Sequence, residues 1–180
     1  MSRYLVVPGL GGSSKHHWQT HLEVSLDAAS RVEMRDWQAP HAGHWIATLQ
    51  EHIAAGEPPI VIGHSLGCIA IAHAVARGSA IRGALLVAPA DVDREDGSRV
   101  LRGFAPIPTS RFGVPLTIVA SDNDNHVSLA RVKDLAKAWG GELVVIPGGG
   151  HLNVASGHGP WPLARLLAQQ LASVAVSKAS

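Results

Sequence analysis

The stretch PIVIGHSLGCIAIAHAVA, residues 59–76, joins a predicted buried strand to a predicted buried helix through a serine flanked by glycines. Its beginning, Pro59–Ile62, is continuously apolar, as is typical of a strand covered on both faces of a parallel sheet. Leu66–Ala76 is also almost wholly apolar, and its length indicates a helix inside the protein. Between them lies Gly63-His64-Ser65-Leu66-Gly67, a G-x-S-x-G pattern. The stretch therefore predicts a parallel sheet with an exposed serine on the turn that leaves one strand.

Strand and helix patterns alternate along the rest of the chain. Short apolar runs predict five further strands: Tyr4–Val7, a weaker Arg31–Met34, Ala84–Ala88, Leu116–Ala120 and Glu142–Ile146. Apolar residues three or four positions apart predict the remaining helices: His17–Ala29, Trp45–Ile53, Leu129–Trp139 and Trp161–Val174. This alternation predicts an α/β fold, doubly wound around a mainly parallel six-stranded sheet with helices on both faces. Pro89–Pro115 is irregular; it could form a small cap but is too short for a large lid.

Composition narrows the classes of function. The 180 residues suit a single domain over 1–180, with 177–180 expected to be frayed, and 46% hydrophobic with 16% charged residues is a globular composition. A formal net charge of +1 with scattered Lys and Arg argues against a nucleic-acid partner. There is neither a secretory-type segment nor an apolar run of the roughly 20 residues that a membrane span needs. We therefore expect a cytoplasmic protein without membrane contact.

Ser65 is the predicted nucleophile. In a turn of this kind the serine hydroxyl projects above the sheet, and glycine is needed two residues away on each side because larger side chains would collide with neighbouring backbone. The backbone N–H of Leu66 would face the same space and stabilise an oxyanion. The N–H of Leu10, in the glycine-rich loop after the first strand, is the expected second donor. The alternative is an ordinary glycine-containing turn without chemistry.

A serine hydroxyl needs a base to remove its proton and an acid to orient that base. His151 is the predicted base because it follows the last strand on a glycine-rich loop. Asp124 is the predicted acid because it lies where the chain turns from the fifth strand towards a helix. Asp122, two residues past that strand, is the alternative acid. The alternative bases are His158, His126 and His64.

The remaining motifs predict neither a cofactor nor a metal. The loop Gly9–Gly12 lacks the spacing of a phosphate-binding or dinucleotide-binding loop. Although the chain contains 11 histidines, it has no H-E-x-x-H or paired-cysteine pattern. The lone Cys68 excludes a disulfide within the chain. Trp18 and Trp161 are expected to approach the substrate.

A set of short motifs spans most of the chain: Val7-Pro8-Gly9, His17-Trp18-Gln19, Asp36-Trp37, the G-x-S-x-G turn at 63–67 (here called the elbow), 121–128, 150–153, 156–157 and Gly159-Pro160-Trp161-Pro162. These motifs resemble those of small serine hydrolases of the YdeN and retinoblastoma-binding-protein-nine type. The resemblance implies a minimal α/β-hydrolase that lacks the first antiparallel strands and a large lid. It also implies a catalytic triad of Ser65, Asp124 and His151. Asn125 stands where the family usually has proline after the acid.

These observations together predict a serine hydrolase that cleaves small esters, thioesters or amides through an acyl-enzyme on Ser65. Its partner would be a small acyl substrate. One alternative is a non-catalytic module that retains the fold and binds a protein partner. Another is a metal-assisted hydrolase that uses the histidine-rich N-terminal half.

Overall fold

Six parallel strands form one sheet in the order β2-β1-β3-β4-β5-β6 in the computed structural model, which describes residues 2–177. The strands are β1 Tyr4–Val7, β2 Ala29–Arg31, β3 Ile60–His64, β4 Gly83–Val87, β5 Leu116–Ser121 and β6 Glu142–Ile146. Because the chain leaves β1 towards one edge and returns to β3 on its other side, the loops that follow these two strands diverge. This creates a crevice at the carboxyl ends of the strands, where open α/β sheets bind ligands.

Helices cover both faces of the sheet. They are α1 Trp18–Ser25, α2 Ala42–Ala54, α3 Leu66–Ala76, α4 Leu129–Trp139 and α5 Pro162–Ser177, with short 3-10 helices at Arg99–Phe104 and Val154–Ser156. One apolar cluster joins the sheet to α2, α3 and α4, and a second joins it to α1 and α5. The predicted doubly wound α/β fold is therefore confirmed. No helix within residues 2–177 combines the length and hydropathy needed to cross a bilayer.

The second strand is the element that the sequence pattern misplaces. The prediction of Arg31–Met34 is wrong, because β2 ends at Arg31 and pairs only with β1. Val32 and Met34 are buried because, after the chain leaves the sheet, both join the apolar cluster that also contains residues of α2 and α3. The apolar residues that predicted a strand here are therefore core residues that follow an edge strand with little apolar character. Of the expected frayed tail, Ser177 is helical, and 178–180 lie outside the described residues.

The first turn of α3 packs directly against the end of β1. A Cβ atom at Gly67 would lie 2.1 Å from the carbonyl oxygen of Val7 and 2.7 Å from that of Pro8. A Cβ atom at Gly63 would lie 2.8 Å from Cδ1 of Ile71 and 3.0 Å from the backbone nitrogen of Cys68. Both glycines of the G-x-S-x-G pattern are therefore required by close backbone approach.

We expect Gly67→Ala to lower the free energy of unfolding by about 3 kcal/mol, because the added methyl group meets rigid backbone rather than a flexible side chain. Urea denaturation of the purified variant measures the change. Gly103→Ala is the matched control, since its nearest neighbour would be Cβ of Ala42 at an ordinary 3.9 Å. Equal stability of the two variants would contradict this account of the elbow.

Candidate active site

Ser65 occupies a strained turn between β3 and α3. Its backbone has φ 53° and ψ −119°, a left-handed conformation that residues other than glycine rarely adopt. Three backbone hydrogen bonds hold the turn: Ser65 N donates to Val87 O at 3.0 Å, while Ser65 O accepts from Cys68 N at 3.1 Å and from Ala90 N at 3.3 Å. The surrounding structure thus maintains a conformation that the residue alone would avoid.

The three residues of the predicted triad form one hydrogen-bonded chain. Nε2 of His151 lies 3.0 Å from Oγ of Ser65, and Nδ1 of His151 lies 2.8 Å from Oδ2 of Asp124. The Asp124 side chain is only 1% exposed, and its second oxygen accepts a hydrogen bond from the backbone of His126 at 2.8 Å. Because a carboxylate only accepts, Nδ1 of His151 donates the proton and Nε2 is left to accept one from the serine hydroxyl. This arrangement can support nucleophilic attack by Ser65.

The alternative acid, Asp122, has a different neighbour. Its Oδ1 accepts from the backbone nitrogen of Gly148 at 2.7 Å, and Oδ1 of Asn123 accepts from the nitrogen of Gly150 at 2.7 Å. Oγ of Ser121 adds a bond to the carbonyl oxygen of Gly150 at 2.7 Å. The residues around Asp124 therefore hold the loop that carries His151, and the sequence offers no local pattern for these contacts.

The alternative bases surround His151 without replacing it. His64 donates from Nε2 to the carbonyl oxygen of His151 at 3.0 Å, and the ring of His126 lies 4.2 Å from the ring of His151. His158 packs against Trp161, with ring centroids 5.0 Å apart. Within residues 2–177, His151 is the only histidine that hydrogen-bonds Oγ of Ser65.

Burial keeps the neighbouring imidazoles neutral. Loss of solvent lowers the pKa of His17 from 6.5 to about 4, with smaller contributions from the charges of Arg31, His151 and His158. Burial also lowers the pKa of His64 and His126, and the charge of a protonated His151 lowers both further. The site therefore contains several rings that pack around the base without adding positive charge at neutral pH.

His17-Trp18-Gln19, at the start of α1, contacts the loops on either side of the crevice. Nε1 of Trp18 donates to the carbonyl oxygen of Leu152, next to His151, at 2.9 Å. Nε2 of Gln19 donates to Val7 O at 3.3 Å and Ile62 O at 3.1 Å, near the ends of β1 and β3. His17 caps the helix, because its Nδ1 accepts from the nitrogen of Gln19 at 3.2 Å. One short segment thus contacts both the elbow and residues 147–153, the loop that carries His151 and is here called the base loop.

The expectation that Trp18 and Trp161 approach the substrate needs correction. Trp18 is 1% exposed and packs edge-on against Trp161, with ring centroids 5.5 Å apart. Neither residue lines the cavity that contains Ser65, whereas His17 does. His17 was not among the site residues predicted from the sequence; its position as a helix cap directly before a buried tryptophan was the available signal.

Two backbone N–H groups remain available beside Ser65. A Cβ atom at Gly9 would lie 2.9 Å from Cβ of Ser65 and 3.3 Å from the nitrogen of Leu66, so the loop after β1 touches the elbow. In the part of the chain that the structure describes, the N–H groups of Leu10 and Leu66 have no hydrogen-bond acceptor. These groups could therefore bind an oxygen atom of a ligand.

A cavity of about 630 Å³ opens above Ser65. Its walls come from the loops that follow β1, β3, β5 and β6, together with residues 91–104, here called the cap segment. Arg94 connects this segment to residues 122–128, here called the acid loop because they contain Asp122 and Asp124. Its Nη1 donates a hydrogen bond to the carbonyl oxygen of Asn125 at 2.9 Å. The irregular stretch of the sequence thus forms a small cap. No three His, Cys, Asp or Glu side chains among residues 2–177 are grouped to hold a metal ion.

Comparison with known proteins agrees with this geometry. The model of a family described as serine hydrolase matches residues 4–170. A protein of Pectobacterium atrosepticum, described as a YdeN-like hydrolase, is 33% identical, with 95% of this chain and 92% of that chain covered and a TM-score of 0.82. The ydeN product of Bacillus subtilis is 22% identical over 96% of this chain and 100% of its own, with a TM-score of 0.75. The latter likeness establishes the fold only. Curated proteins gave no match.

His17 should make stability sensitive to acid. The unfolded chain takes up this proton near pH 6.5, whereas the folded protein resists it until about pH 4, so the free energy of unfolding falls as pH drops between these values. The loss from His17 alone is about 2 kcal/mol at pH 5. His17→Asn keeps a capping acceptor but removes the titrating ring, so its unfolding free energy should fall less between pH 7 and pH 5.

Urea denaturation at pH 7 and pH 5 measures this difference. His21→Asn, an exposed position on the same helix, is the control and should retain the acid sensitivity of the unmodified protein. An unchanged pH dependence in His17→Asn would show that His17 takes up its proton equally in both states.

Proposed function

Since this chain belongs to the serine hydrolase family, we propose that it hydrolyses small esters, thioesters or amides through an acyl-enzyme on Ser65. The observation that carries the proposal is the continuous hydrogen-bonded chain from Oγ of Ser65 through His151 to the buried carboxylate of Asp124. The strained backbone of Ser65 supports it further. Such strain costs about 1–3 kcal/mol and is most often kept where a side chain must be held for chemistry.

The proposed reaction begins when Oγ of Ser65 attacks the substrate carbonyl while Nε2 of His151 takes its proton. Asp124 stabilises the resulting imidazolium. The oxyanion accepts hydrogen bonds from the N–H groups of Leu66 and Leu10. The carbon–heteroatom bond then breaks, and the leaving group takes the proton from His151. A water molecule attacks the acyl-enzyme by the same route, which releases the acid and restores Ser65.

The cavity favours a small acyl substrate. About 630 Å³ lies within the range of small-molecule sites. Few large apolar side chains face it, chiefly Leu10, Leu101 and Val154, and the cap segment closes one side. A long hydrocarbon chain would find little apolar surface there, whereas a short acyl group would be enclosed.

The second candidate, a non-catalytic module that binds a protein, lacks a specific observation in its favour. It would not explain why the backbone of Ser65 is strained, why the Asp124 carboxylate is buried against His151, or why the N–H groups of Leu10 and Leu66 have no acceptor. A metal-assisted reaction has no corresponding ligand group among the residues that the structure describes. The serine hydrolase mechanism uses all of these features.

A fluorophosphonate probe should label the protein at Ser65, because an activated serine attacks phosphorus as it attacks a carbonyl. Ser65→Ala should abolish the label, whereas Ser121→Ala, which removes a hydroxyl bonded to the base loop, should retain it at a reduced rate. Gel fluorescence and mass spectrometry of the modified peptide give the result. A folded protein that takes up no probe would favour the non-catalytic module.

Replacing each of the two aspartates, Asp124 and Asp122, by asparagine should distinguish their roles. Asp124→Asn should lower kcat for a p-nitrophenyl ester by about 10³–10⁴, because an amide cannot stabilise the imidazolium and favours the wrong tautomer of His151. Asp122→Asn, in which the amide oxygen still accepts from Gly148, should change kcat by less than about threefold. Steady-state kinetics of both variants distinguishes them. Comparable losses in the two variants would argue that the acid loop acts only as a structural unit.

A further inference from the structure

Asp91 places a carboxylate in the wall of the cavity, close to the nucleophile. The backbone nitrogen of Ala90 donates to the carbonyl oxygen of Ser65 at 3.3 Å, so the next residue along the chain lies beside the elbow. Asp91 and Ser65 both line the same cavity. The mechanism proposed for ester or amide cleavage has no role for this side chain.

The carboxylate of Asp91 is buried without hydrogen bonds. Its side chain is only 12% exposed, and Oδ1 is shielded from solvent and has no hydrogen-bond partner. Neither of its oxygens accepts a hydrogen bond from any residue in 2–177. Nε of Arg131 lies 3.5 Å from Oδ1, which is an ion-pair contact without hydrogen-bond geometry. The same guanidinium donates to Oδ2 of Asp93 at 2.6 Å, so its charge is shared between two carboxylates.

The other charges around the cavity compensate Asp91 only in part, through the more distant charge of Arg94. Arg94 is the only lysine or arginine among the residues that line the cavity, and its guanidinium is paired with both oxygens of Asp96 at 3.0 and 2.8 Å. Burial lowers the pKa of His17, His64 and His126, so these rings add no positive charge at neutral pH. Arg94 is thus set against two carboxylates, Asp91 and Asp96, and the residues that line the cavity carry one net negative charge at neutral pH. Because Oδ1 is shielded from solvent, a ligand in the cavity would meet Oδ2, which accepts no hydrogen bond from the described residues either. A largely buried carboxylate oxygen with unused acceptor positions is costly until a donor reaches it.

We propose that Asp91 binds a protonated amine on the acyl part of the substrate, so that the preferred substrates are esters or amides of small amino acids. An ammonium group supplies both the charge and the hydrogen-bond donors that the carboxylate lacks. The inference rests on the proposed hydrolase function and narrows it to a substrate class. The competing explanation is that Asp91 serves only to hold Arg131 and, through it, the cap segment.

Two p-nitrophenyl esters of matched size test the inference at pH 7. The acyl groups are butanoate, which is neutral, and 3-aminopropanoate, which carries an ammonium group in place of the terminal methyl. We expect kcat/KM to be at least about tenfold higher for the amino ester, as a charged hydrogen bond implies. Asp91→Asn should reduce this preference about tenfold, mainly through a higher KM for the amino ester.

Asp93→Asn is the matched control, because it removes the same charge from the same arginine but lies outside the wall of the cavity. Because Arg131 is then left to Asp91 alone, the ratio of the two kcat/KM values should fall, but by less than about threefold. If circular dichroism shows that Asp91→Asn does not fold, Asp91→Ser takes its place.

A wild-type protein without preference for the amino ester, or an equal loss of preference in the Asp91 and Asp93 variants, would overturn the inference while ester hydrolysis itself remained. Absence of hydrolysis of both esters, together with absence of labelling at Ser65, would overturn the proposed function and this inference with it.

Discussion

The contact between the first turn of α3 and the end of β1 is the constraint on which the site depends. At Gly67 the helix backbone comes so near to the carbonyl oxygens of Val7 and Pro8 that no side chain fits between them. This contact brings the loop after β1 against the elbow, with Gly9 facing Ser65 and Leu66. The strained turn of Ser65 and the two available N–H groups follow from it. A larger separation would leave the serine on an ordinary turn, away from the donors that stabilise an oxyanion.

His151 is held by contacts from residues distant in the chain rather than by its own loop alone. Side chains at 121–123 hold the backbone at 148–150, and Trp18 and His64 hold the carbonyl oxygens of Leu152 and His151. This support has an energetic cost, because His17 and His64 are buried and must remain neutral. The pKa values of these histidines are lowered in the folded protein, so protonation in acid favours the unfolded chain. The rings of His64 and His126 pack against that of His151. Order in the site is thus linked to sensitivity to acid.

The cap segment gives the cavity its charge as well as its shape. A hydrogen bond from Arg94 to the carbonyl oxygen of Asn125 joins it to the loop that carries Asp124, and the ion pair between Asp93 and Arg131 joins it to α4. Arg94 and Asp96 pair within the segment, whereas Asp91 lines the cavity with one oxygen that has no hydrogen-bond partner. Selectivity would therefore arise from a segment without regular strand structure, while the parallel sheet supplies the reactive groups. This division is common where a rigid scaffold carries loops that bind ligands.

The sequence by itself determined the alternation of strands and helices, the location of the elbow and the candidates for acid and base. These features are local: continuous apolar runs, glycine spacing and the order of loops along the chain can be read within short windows. The edge strand β2 was misplaced because Ala29 is its only apolar residue and the stronger apolar signal lies just beyond it. Only the tertiary structure decided that Asp124 rather than Asp122 contacts His151, since both acids lie in one loop and differ in the direction of their side chains. The tertiary structure also decided the hydrogen bond from Trp18 to Leu152, which lies 134 positions away in the chain. It likewise left Oδ1 of Asp91 without a hydrogen-bond donor, which depends on all the residues that pack around that side chain. Hydrogen bonds between distant residues depend on how the loops are brought together, and no short window of sequence records that arrangement.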